Sequence, residues 1–265
     1  MSTDVMIERI AETSPRLKAR VAGGLWLTCI VAGVFGFVAA SALIAGDDAA
    51  ATAKNILANE SLFRLGFAAD LISGVSYVGV TALLYYLLKP VGRSLSLLAA
   101  FFGLGGVAIG GVGFLNHLAP LVLLHGDQYL SAFTTSQLQA MALTSLKLQM
   151  QVFSIGMVFF GIQCFLAGYL IVRSTFLPRA LGVLLAIGGS SYLIISFANF
   201  LAPPFGARLT PFVMPIALAG EGALTVWLLA KGVNVGRWKE QASAAAEPAA
   251  NAHVARSAHP ASPSR

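Results

Sequence analysis

Residues 217 to 227 read ALAGEGALTVW, and the one group in that stretch able to take up or release a proton is the carboxylate of Glu221. No other charge falls between Pro215 and Ala230. If lipid surrounds the stretch, an isolated charge costs at least about 2.5–3.5 kcal/mol, so the carboxyl must carry a proton, find a partner or face water. Four further residues bring different chemistry: an acid in Asp70, an imidazole in His117, an amine in Lys147 and an amide in Asn199. Acid–base work by such groups requires partners within hydrogen-bond reach, and chain spacing alone fixes none of them. Metal-ligand spacing, a nucleophile elbow and a phosphate loop are all missing from the sequence, so neither a metal site nor a cofactor is expected. Cys29 and Cys164 stand far apart inside apolar runs and read as small packing residues rather than as a disulfide framework or metal quartet.

The elements that would position these groups follow from composition. Hydrophobic residues make up 57% of the chain and charged ones 11%, with a mean hydropathy of +0.79, whereas soluble domains run near 45–50% apolar and about 25% charged. A bilayer core of roughly 30 Å takes about 20 apolar residues in a helix. Six runs qualify: Val21 to Ala45, Leu65 to Leu88, Leu95 to Leu124, Leu148 to Val172, Ala180 to Ala202 and Phe212 to Ala230. They must be helices, because irregular backbone in lipid leaves its polar groups unsatisfied and a barrel would show short alternating strands.

Lys and Arg set the orientation. Arg9, Arg16, Lys18, Arg20, Lys89, Arg93, Arg173, Arg179, Lys231, Arg237 and Lys239 flank one side, against Lys54, Arg64 and Arg208 on the other. Both termini are therefore expected in the cytoplasm. The net charge of +6 is this bias, dealt out loop by loop, and not a nucleic-acid footprint. Ala40-Ser41-Ala42 resembles a leader cleavage site, but the apolar run is too long and the preceding residues mix acids with bases. Ser14-Pro15 reads as a cap with proline at the first helical position. The expected organisation is an all-α, polytopic six-helix transmembrane bundle: a cytoplasmic segment 1–20, a membrane domain 21–231 and a cytoplasmic tail 232–265. From Gln241 onward the tail is Ala, Pro and Ser with scattered charge, expected to be disordered, its His253 and His259 solvated.

The third span contains FFGLGGVAIGGVGF, whose formal match to a dinucleotide fingerprint lacks the strand that motif needs. Gly106, Gly110, Gly113 and His117 share one helical face there, a groove suited to close helix packing. The turns LLKPVGRSLSLLA and IVRSTFLPRALGVLLA suit a duplicated hairpin, or simply two short basic loops. Counting about 20 residues from the basic boundaries puts Asp70, Asn116, His117, Gln149, Gln151 and Asn199 near the outer edge, with Lys147 beyond it and Glu221 near the midplane. Asp70, Ser73, Tyr77 and Thr81 form one stripe; Gly189, Tyr192, Ser196 and Asn199 a second; Lys147 and Gln151 a third; and Thr225 lies one turn from Glu221. These positions predict an outward-facing vestibule rimmed by Asp70, His117, Lys147 and Asn199 and floored by Glu221.

LANESLFRLGFAADLI, LLYYLLKPVGRSLSLLAAFF and VFFGIQCFLAGYLIVRSTFLPRALGVLLAIGGSSYLI, followed by SFANFL, resemble a bacterial membrane-protein family, the domain of unknown function 4386, over about residues 17 to 230. The resemblance implies a polytopic inner-membrane protein and no established activity. It also implies histidine at the sites of Gln149 and Gln163 and aspartate at Ile195, so a family site using those groups would be altered; Arg64 and Asp70 match the pattern. Three functions remain open. The chain is a small-ligand or lipid-binding, transport-type bundle built on Glu221; or a non-catalytic membrane assembly or partner protein; or a membrane-embedded enzyme acting on lipid headgroups through Asp70, His117 or Lys147. Expected partners are membrane lipids, a small-molecule ligand and a second copy of the chain, with no nucleic acid.

Overall fold

The computed structural model describes residues 14–126 and 128–257, with side chains placed up to residue 246. Arg9 and His259 lie outside the described residues, as does the side chain of His253. Among the described residues eight α-helices follow in order: α1 Pro15–Ser41, α2 Ala49–Ala58, α3 Glu60–Leu88, α4 Arg93–Leu124, α5 Thr135–Arg173, α6 Arg179–Leu201, α7 Pro203–Ala230 and α8 Val235–Ser257, with a short 3-10 turn at Gln128–Ala132. No strand occurs among the described residues. Six helices, α1 and α3 to α7, are long and apolar enough to cross a membrane, and this is a multi-pass membrane protein.

Large apolar side chains point outward along these helices. Val75 and Phe212 are each 74% exposed and Leu115 69%. A protein in water would bury such residues; in lipid they face their solvent. Inside, the bundle buries polar groups and small residues together with large apolar side chains such as Trp26, Phe63, Leu170 and Leu224.

The six spans close into a ring in chain order: α1 packs on α3, α3 on α4, α4 on α5, α5 on α6, α6 on α7, and α7 returns to α1. Glycine sets the tightest wall. A Cβ on Gly168 would lie 2.6 Å from the Gly182 carbonyl oxygen, and one on Gly182 would lie 2.5 Å from that of Gly168, so α5 and α6 touch backbone to backbone. The groove anticipated on α4 is filled differently. Gly106 faces the Phe160 ring and Gly113 faces Val152, while Gly110 meets nothing within 4 Å.

Helix ends depart from the apolar runs because caps, not hydropathy, start helices. Ser14 accepts from the Arg16 amide ahead of Pro15, as its sequence predicts. Thr134 and Gln137 form a capping box that starts α5 thirteen residues before the apolar run at Leu148. At 39 residues, α5 is about 58 Å long, nearly twice a bilayer core. Proline at its start opens α7 at Pro203 rather than Phe212.

Asp48 accepts from the Ala51 amide at 2.9 Å and caps α2, an element absent from the six-span expectation because it is too short to cross. This helix packs on α5 and α4, and Ile56 joins Leu43, Phe63, Leu121 and Leu146 in an apolar plug.

The opposite, basic end gathers the starts of α1 and α4, the α5–α6 turn and α8. The segment expected to be unstructured from Gln241 is helical as far as Ser257. Trp238 anchors α8, donating its indole N–H to the Leu87 carbonyl at 2.9 Å and stacking on Tyr86 with centroids 5.5 Å apart. Alanine-rich sequence is a strong helix former once such an anchor fixes one end.

Candidate functional site

The α3 stripe read from the sequence faces the ring interior, and each member finds a partner on another helix. Asp70 bonds His117 of α4 at 2.8 Å. One turn on, the Ser73 hydroxyl donates to the Cys29 carbonyl of α1 at 3.0 Å. Tyr77 donates to Gln163 Oε1 of α5 at 3.0 Å, and the same amide donates to Thr81 at 3.3 Å. A line of polar groups thus runs down the axis of a lipid-facing bundle.

Asp70 and His117 occupy the end of that line beneath the α2 plug. Their closeness depends on glycine, since a Cβ on Gly36 would lie 2.3 Å from Asp70 Oδ1. The carboxylate accepts, so His117 Nδ1 carries the hydrogen; Gln149 stands 3.2 Å from that nitrogen. Phe63 and Phe67 pack on the imidazole at centroid distances of 4.6 and 5.9 Å. His117 is wholly buried, and its Nε2 has no hydrogen-bond partner among the described residues.

Glu221 lies deeper, on α7. Trp26 of α1 donates its indole N–H to Oε2 at 3.3 Å, and the Cys164 thiol of α5 donates to Oε1 at 3.8 Å. The buried Tyr192 of α6 is a further neighbour of this carboxyl. No basic side chain forms an ion pair with it among the described residues. Neutral donors from α1 and α5 therefore converge on one carboxyl of α7. Trp26 also meets Tyr77 edge to face, with centroids 6.2 Å apart, which joins this cluster to the α3 line.

The expected rim is not one constellation. Asp70 and His117 come together, whereas Lys147 pairs with Asp47 at the exposed far end. Asn199 is half-buried against the start of α7, where a Cβ on Gly206 would press on its amide. Gln151 is exposed, and Asn116 bonds the Val112 carbonyl of its own helix. Thr225 and Ser196 are buried with hydroxyls unpartnered among the described residues. A water-sized cavity of about 10 Å³ lies beside Thr81, Ser96 and Gln163, nearer the basic end.

Trp26 and Cys164 carry no functional signal of their own in the sequence. A tryptophan and a cysteine in apolar runs look like packing; their depth, matching that of Glu221, was the available signal.

A family match follows the same residues. The family described as domain of unknown function (DUF4386) matches residues 21–232. The chain belongs to this family. An uncharacterized protein of Archaeoglobus fulgidus is 27% identical over 155 residues, covering 58% of this chain and 76% of that protein. No solved structure matches. The family match spans the ring from α1 to α7, the whole of the polar line included. The three positions at which the resemblance implies other residues are all interior: Gln149 at His117, Gln163 at Tyr77 and Thr81, and Ile195, 3% exposed.

Proposed function

We propose that this protein is a small-ligand or lipid-binding bundle of transport type, in the bacterial inner membrane with its basic end in the cytoplasm, and that Glu221 is the group whose proton or bound ligand changes during its cycle. The observation carrying this reading is a midspan carboxyl held by Trp26 and Cys164 with no ion-pair partner among the described residues. Neutral donors hold either state of such a group without committing it, whereas a fixed lysine or arginine would lock it as an ion pair. In this reading the packed ring is the closed form, and α2 with its apolar plug covers the far end.

Cys164 reports directly on access to Glu221. In a Cys29→Ser background in sealed membrane vesicles, a small water-soluble thiol reagent modifies Cys164 slowly, and Glu221→Gln changes that rate. Modification that occurs only after denaturation would end the transport reading. The alternative then favoured is an assembly or partner protein whose polar groups serve only to lock helices, a role for which the backbone contact of Gly168 with Gly182 provides the rigid frame.

A further inference from the structure

The α5–α6 turn, residues 173 to 179, reads RSTFLPR, so an arginine closes one apolar span and another opens the next. Phe176 and Leu177 are buried in the core and hold the turn down, while the Ser174 hydroxyl donates to the Ile171 carbonyl at 2.8 Å. Helix α8 is stapled across it. The Thr175 amide donates to Gln241 Oε1 at 3.0 Å, the Asn234 amide donates to the Phe176 carbonyl at 3.2 Å, and Arg237 donates to the Thr175 carbonyl at 3.4 Å. Between turn and helix remains a cleft of about 730 Å³, lined by Arg173, Arg179, Arg237, Thr175, Glu240 and Gln241. That volume lies in the range of ligand sites, roughly 300–1,000 Å³.

Three guanidiniums share this cleft with one carboxylate, and among the described residues none of the three forms an ion pair. Arg173 spends one donor on the Tyr169 hydroxyl at 3.1 Å and Arg237 one on the Thr175 carbonyl, while four other cations at the same end are also engaged. Lys18 and Lys89 lie over the Tyr86 ring at 3.6 and 4.6 Å, Lys231 over Trp227 at 4.6 Å, and Arg20 donates to the Ala230 carbonyl. Arg179 and the remaining N–H groups of Arg173 and Arg237 hold donors suited to phosphate oxygens, which guanidinium binds in a planar fork.

The surface beside them is apolar and turned to lipid. Tyr169 and Phe165, one and two turns inward from Arg173 on α5, are 43% and 48% exposed, and Val183, one turn inward from Arg179 on α6, is 48% exposed. A free phosphate would use the arginines alone, whereas a lipid would use both surfaces. We infer that this cleft is a binding site for the phosphate headgroup of an anionic lipid in the leaflet at the basic end, with Arg173, Arg179 and Arg237 on the phosphate and the faces of α5 and α6 against its acyl chains. The site lies apart from Glu221 and does not depend on what Glu221 does.

Native mass spectrometry of the full chain, released from detergent after addition of phosphatidylglycerol or phosphatidylcholine, tests this. Phosphatidylglycerol is expected to be retained in preference. R179Q, which breaks no hydrogen bond among the described residues, should weaken that retention about fivefold, the usual worth of one basic residue near a membrane surface. The triple variant R173Q/R179Q/R237Q should fall to the phosphatidylcholine level, and K18Q/K89Q at the same end should match the parent. Equal retention by parent and R179Q, or an equal loss in K18Q/K89Q, would overturn the site. Displacement of the lipid by inorganic phosphate would assign the cleft to a free anion instead.

Discussion

Glu221 shows how a membrane interior changes the meaning of ordinary residues. In water, Trp26 and Cys164 would be packing residues; beside a midspan carboxyl, the indole N–H and the thiol become its hydrogen-bond donors. Trp26→Phe keeps most of the ring and removes the donor. It is expected to lower stability in a denaturing-detergent titration by about 0.6 kcal/mol, and by no more than about 1.7 kcal/mol, the range for interhelical hydrogen bonds. The Asp70–His117 pair depends on a residue with no side chain. Gly36→Ala drives a methyl group into the Asp70 carboxylate and should cost about 1–3 kcal/mol, as overpacking does. Gly24→Ala provides the comparison on the same helix, since its nearest neighbour across the interface is the end of a Leu229 side chain at 3.9 Å. Thermal unfolding in detergent separates the two.

At the element scale, two helices outside the six spans complete the bundle. Helix α2 covers one end, and its N-terminal cap lies beside Asp47, which bonds Lys147 of α5. The hydrogen bond from Lys147, then its charge, hold the Asp47 carboxyl below the usual carboxylate range. A depressed value means that the link is complete at neutral pH and is lost as pH falls through the acidic range below the ordinary value for aspartate. Protection of the Ala49–Ala58 amides, taken relative to intrinsic exchange at the same pH, should therefore fall in strong acid, and Asp47→Asn should lower it at neutral pH. At the other end, Trp238→Ala removes the anchor of α8. A loss of about 3 kcal/mol is expected for so buried an aromatic, together with faster proteolysis after Arg237 and Lys239.

At the scale of the whole molecule, an even number of spans and a ring closed by α7 on α1 put both ends of the membrane domain together at the basic end. Reporter fusions to the N-terminus and after Lys231 should read the same compartment, and the positive-inside bias predicts that it is the cytoplasm. Opposite readings at the two ends would break the six-span topology. The ring also explains how so polar a line survives in lipid: every group on α3 is met from across the axis, so none is offered to the hydrocarbon.

Solvent class, span number, the capped start of α1 and the Asp70–Ser73–Tyr77–Thr81 stripe were all legible in the residues, because hydropathy and helical periodicity are local and additive along a chain. The partners were not. That Asp70 meets His117 while Lys147 meets Asp47, that Trp26 and Cys164 reach Glu221, and that α8 docks through Trp238 depend on how six similar helices are rotated and ordered about one axis. Small-residue contacts such as Gly168 on Gly182 decide that arrangement across long stretches of sequence, and no single helix carries the information alone.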